Sequence, residues 1–79
     1  MLNDKIRYMK DFVTSEIIQA IIEDTKLPVE KAMKNFYNSE VFDRLSDTET
    51  GLYRESGAYV YELYKIEQKF GRLVYTEIM

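Results

Sequence analysis

Residues Ser46 to Tyr64 read SDTETGLYRESGAYVYELY, and this stretch decides how the chain is divided. It holds four of the seven tyrosines and two of the three glycines. Asp, Thr and Gly at 47–51 are turn formers, and Gly51 can supply a positive φ. Ser56 is an N-cap residue for a helix over 57–70. Within that helix Tyr59, Leu63, Ile66, Phe70 and Leu73 repeat at 4, 3, 4, 3, a heptad-like stripe. Val60 and Tyr64 flank it, and Tyr61 falls off it. Gly71 is a C′ stop, with Lys69 and Arg72 at the negative end of the helix dipole.

Upstream of the turn the apolar period is also helical. Ile6, Met9, Val13, Ile17, Ala20 and Ile21 form one stripe, widened by Tyr8, Phe12, Ile18 and Ile22. Asn3 or Asp4 can cap it. The pattern predicts one helix over about 4–24, or two if Ser15 acts as an internal N-cap ahead of Glu16. Pro28 ends it near Asp24–Lys26 and opens a second helix, with Thr25 or Leu27 near its N-terminus. Val29, Ala32, Met33, Phe36 and Tyr37 form that helix's apolar face. Ser39 can cap a further short helix carrying Val41, Phe42 and Leu45; alternatively the second and third are one bent helix. The tail RLVYTEIM over 72–79 reads as extended, helical or docked on the bundle. The expected fold is therefore all-α, a single domain over 1–79 built as a small bundle of three to four short helices.

Composition narrows the function. The chain has 79 residues, no cysteine and no histidine. Those absences remove the histidine-based triads, the usual zinc sites and the commonest general base near neutral pH. The carboxylates Asp43, Asp47, Glu49 and Glu55 lie close in sequence. Measured against a calcium loop, however, Gly51 sits one place early and Ala58 occupies the bidentate glutamate position. No glycine-rich phosphate loop is present. The reading is no catalytic residue, no metal ligand and no cofactor. A net charge of −3 disfavours a nucleic-acid partner, which needs a basic face. No apolar run reaches the roughly 18 residues of a membrane span. The N-terminal stretch MLNDKIRYMKDF carries charges where an export signal needs an apolar core, so the cytoplasm is the expected location.

Tyrosine is then the leading functional signal, because it gives rigid contact area with a polar tip. Tyr59 and Tyr64 are expected to roof the core. Tyr53, Arg54, Tyr61 and Tyr75 are the candidate partner-binding residues, with Tyr61 exposed. Arg54 alternatively pairs with Glu55 or Asp47.

Ala32, Phe36 and Ser39, followed by Asp47, Thr50, Gly51, Leu52, Tyr53, Ser56 and Tyr59, make a pattern A-x-x-x-F-x-x-S … D-x-x-T-G-L-Y-x-x-S-x-x-Y. This resembles a group of short helical bacterial proteins with no assigned activity. The resemblance covers about the last two-thirds of the chain. It implies a helical fold and transfers no catalytic residue.

The expectation is a small non-enzymatic interaction or regulatory module that binds a dedicated protein partner or its own copies. The alternative is an antitoxin-type or transcriptional regulator, with a helix-turn-helix-like unit around Leu27-Pro28 and VEKAMKNFYN as its reading helix. An enzyme working through carboxylates and a metal is the least favoured class.

Overall fold

The computed structural model describes residues 2–71, and the candidate Tyr75 and the tail over 72–79 lie outside them. Among the described residues there are four α-helices and no strand. α1 spans Leu2–Thr25, α2 Val29–Tyr37, α3 Glu40–Ser46 and α4 Gly57–Phe70. Two 3₁₀ turns, Thr48–Thr50 and Leu52–Arg54, join α3 to α4. The bundle is all-α, as the apolar periods require.

α1 is unbroken at Ser15, which is exposed on its outer side. Val13, Ile17 and Ile21, four residues apart, form its buried line. The helix ends where Lys26 takes a left-handed φ of 63° and its N–H reaches the Ile22 carbonyl at 2.8 Å. Thr25 belongs to this C-terminus rather than to the start of α2. Its hydroxyl donates to the Ile21 carbonyl at 2.6 Å and accepts from Leu27 N–H at 3.3 Å. Pro28 itself is the N-cap of α2, held extended at φ −60°, ψ 153°.

α2 and α3 are separate helices. Ser39 turns the chain between them: its hydroxyl donates to the Phe36 carbonyl at 2.5 Å and accepts from Phe42 N–H at 3.1 Å. A second cap for α3 comes from a distance. The Glu67 carboxylate on α4 accepts from Glu40 N–H at 2.8 Å and from Val41 N–H at 3.0 Å. The first three N–H groups of α3, which have no partner within the helix, are thus all satisfied.

The core is a ring cluster set in aliphatic side chains. Phe36 is fully buried and meets Phe42 and Tyr64 edge-on, at centroid distances of 5.5 and 5.6 Å. Ile17, Ile21, Val41, Leu45 and Val60 close around it. α4 is rotated from the heptad-like stripe. Its buried residues are Val60, Leu63 and Tyr64, while Tyr59 and Phe70 from the stripe are exposed. Residues 59 and 60 both fit a four-residue repeat with 63 and 64. Val60 is the one that buries without a hydroxyl to satisfy, so it takes the inner place.

Two glycines shape the approach to α4. Gly57 lies against Glu16 of α1, and a Cβ there would overlap the glutamate carboxylate. Gly51 is buried and left-handed at φ 71°, between the two 3₁₀ turns. Gly51→Val is expected to lower the unfolding free energy by about 1–3 kcal/mol through backbone strain. Glu67→Ala is expected to cost about 1–3 kcal/mol by leaving two helix N–H groups without their acceptor. Urea titrations followed by circular dichroism check both, and an unchanged midpoint would contradict either assignment.

Candidate functional site: a groove between α1 and the second turn

Gly51 sends Leu52 into the core and leaves Tyr53 half-buried at its edge. Arg54 follows, exposed, with its guanidinium carbon 5.6 Å from the Tyr53 ring centre. That guanidinium also folds back over Gly51. Thr50 braces the turn, donating its hydroxyl to the Arg44 carbonyl at 2.6 Å and accepting from Leu52 N–H. The position of Tyr53 is therefore set by backbone geometry and side-chain hydrogen bonds.

Opposite this turn runs the outer side of α1. Tyr8 and Phe12, one helical turn apart, are 71% and 56% exposed. They and Met9 form one wall of a groove of about 170 Å³, whose other wall is Tyr53, Arg54 and Glu55. Glu16 and Gly57 close one end. The walls are aromatic and the rim carries both signs of charge, Arg54 against Glu16 and Glu55. Such a surface can cover an apolar side chain while its rim pairs with charged groups beside that side chain. Sequence reading put Tyr8 and Phe12 on the widened core stripe of α1; the structure turns both outward. The signal available was their position some 100–140° around the helix from Val13 at 100° per residue.

Tyr61 belongs elsewhere. It is half-buried rather than exposed, and its hydroxyl donates to the Asp24 carboxylate at 2.6 Å, with the Ala20 carbonyl at 3.5 Å. Lys65 Nζ lies 5.1 Å from its ring centre, and Tyr64 stacks near it at 6.3 Å. Tyr61 thus pins α4 to the C-terminal end of α1. Tyr59, read as a core residue, is 41% exposed. Of the three candidates among the described residues, only Tyr53 and Arg54 meet at one site.

Asp47 caps the first 3₁₀ turn by accepting from Glu49 N–H at 3.0 Å. Among the described residues no three acidic side chains come together as a metal site. A second, wider groove of about 410 Å³ lies between α1 and α2, lined by Asp11, Thr14, Ile18, Val29, Met33 and Tyr37. Among the described residues no helix is long and apolar enough to cross a membrane. No protein-family model matches the chain, and no curated protein or solved structure is significantly similar to it.

Burial first, and then the hydrogen bond and charge of Asp24, hold the Tyr61 phenol above its ordinary value. Tyr64 is raised in the same direction by burial and then by the charge of Glu67. The folded chain keeps these protons at pH values where the unfolded chain releases them. Their contribution is therefore complete below the ordinary tyrosine value of about 10 and is lost as pH rises beyond it. Stability measured between pH 8 and 11 should fall above about pH 10. Tyr61→Phe should cost about 1 kcal/mol at neutral pH and make that fall shallower. An equally steep fall in Tyr61→Phe would remove the phenol as its source.

Proposed function

We propose that the protein is a non-enzymatic protein–protein interaction module, and that it makes contact through the groove formed by Tyr8, Phe12, Tyr53 and Arg54. The observation that carries this reading is the exposure of Tyr8 and Phe12, one turn apart, beside a half-buried tyrosine. A buried aromatic side chain covers about 150–250 Å². Leaving more than half of two such side chains in water forgoes about 5 kcal/mol of burial at about 25 cal/mol per Å². A small chain without disulfides has little stability to spare. A partner that covers these rings recovers that burial.

The chemistry of the groove supports the same reading. It offers aromatic faces and one guanidinium, the groups enriched at contact surfaces, inside a rim that also carries two carboxylates. Tyr61, by contrast, spends its hydroxyl and its ring within the chain.

The double variant Tyr8→Ser, Phe12→Ser tests the proposal. Both side chains are largely in solvent, so each change should alter stability by no more than about 0.5 kcal/mol. Affinity capture from native lysate with mass-spectrometric readout should lose its specific protein in this variant and keep it in Tyr61→Phe. Retention of the same proteins by the double variant would place the contact surface elsewhere.

A further inference from the structure

We infer that the occupant of the Tyr8–Phe12 face is a second copy of this chain, docked so that the two α1 helices run antiparallel about a two-fold axis. The inference rests on the interaction-surface reading above and names its partner. A two-fold contact must be self-complementary, each residue meeting its counterpart across the axis. The outer side of α1 meets that condition.

The stripe facing solvent here contains Lys5, Tyr8, Phe12 and Glu16, and all four are exposed. Tyr8 and Phe12 straddle a midpoint at residue 10. Lys5 and Glu16 straddle almost the same midpoint, between residues 10 and 11. At 100° per residue Lys5 and Glu16 also project within about 20° of one another around the helix, on the same side of the aromatic pair. In an antiparallel pair, residues on one side of a helix face those on the same side of its partner. One alignment therefore lays Tyr8 of each copy against Phe12 of the other. The same alignment brings Lys5 of each copy to Glu16 of the other. A parallel pair would instead set Tyr8 on Tyr8 and carry the Lys5 and Glu16 of the two copies to opposite sides of the seam, where they form no pair.

The Glu16 carboxylate packs against Gly57 at the start of α4, so it turns outward to reach Lys5 of the second copy. Among the described residues neither Lys5 nor Glu16 forms an ion pair within the chain. Arg54 and Glu55, on the opposite wall of the groove, add one charge of each sign to the rim. A surface with balanced signs suits a copy of itself, even on a chain of net charge −3. The aromatic seam is short, so the dimer should be weak and concentration-dependent.

Sedimentation equilibrium of the full chain up to about 1 mM, a range that reveals millimolar dissociation constants, tests this directly. The average mass should rise toward the dimer, and Phe12→Ser should hold it at the monomer. Lys5→Glu or Glu16→Lys alone should weaken the dimer about tenfold, and the two together should restore it. Circular dichroism checks that each variant is folded, and Lys5→Glu alone tests the charge pairing if Glu16→Lys perturbs the nearby Gly57. A monomer at every concentration would overturn the proposal, as would a dimer indifferent to Phe12→Ser or a double reversal no better than the singles. A monomer whose Tyr8 and Phe12 rings show nuclear Overhauser contacts to Val74 or Ile78 would give the face to the chain's own C-terminal segment. If the wild type is monomeric while Tyr8→Ser, Phe12→Ser still loses a captured protein, the interaction module stands and its partner is a different chain.

Discussion

A seven-residue helix has little stability of its own in water, because nucleation fixes several residues for one hydrogen bond. α3 is such a helix, yet Val41 and Leu45 on it are nearly inaccessible to solvent. What holds it is the pairing of its N-terminus with Glu67 and Ser39. The Glu67 carboxylate places negative charge at the positive end of α3 and accepts from two of its N–H groups. That contact also locks the far end of α4 to α3. With α3 held there, Phe42 lies edge-on to Phe36, and Phe36 in turn meets Tyr64. The ring cluster at the centre therefore depends on a hydrogen-bonded helix end.

α4 is tied at a second place along its length. Tyr61 bonds Asp24, so α4 is fixed to the end of α1 one turn from its N-terminus and to α3 near its C-terminus. Between the two ties Val60, Leu63 and Tyr64 have to point inward. This explains the rotation of α4 away from the Tyr59–Phe70 stripe better than hydrophobicity alone. An apolar repeat can be satisfied on either of two adjacent faces. Polar side chains with directional partners choose between them.

Local chemistry was legible in the sequence and long-range pairing was not. Ser39 and Ser56 cap the helices they precede, because a cap reads only the next three residues. Gly51 and Gly71 take left-handed angles at the breaks, since a turn needs them there whatever surrounds it. Lys26 does the same without being glycine, which no composition rule signals. Glu67 carries no local signal, since the N–H groups that donate to it lie 26 and 27 residues away. Asp24 and Tyr61 are 37 residues apart and equally silent. Of the site, the turn carrying Tyr53 and Arg54 was visible through its tyrosine and its glycine. The opposite wall was hidden, because the N-terminal half of α1 has apolar residues on more than one side. Periodicity cannot then say which of them faces inward.

The contrast between the tyrosines gives the functional argument its force. Tyr61 and Tyr64 have their needs met inside the chain, by a carboxylate and by ring neighbours. Tyr8 is the most exposed of the large hydrophobic side chains described, and Phe12 follows it on the same side of α1. Folding alone does not require an aromatic residue at either position, because the adjacent line of Val13, Ile17 and Ile21 already supplies the buried contacts of α1. Large apolar side chains scattered singly over a surface are ordinary; a pair one turn apart beside a groove is a concentrated patch. The bundle is held by Glu67, Tyr61 and the Phe36 cluster, none of which lies on that patch. The outer side of α1 is thus free to be occupied without disturbing what keeps the chain folded.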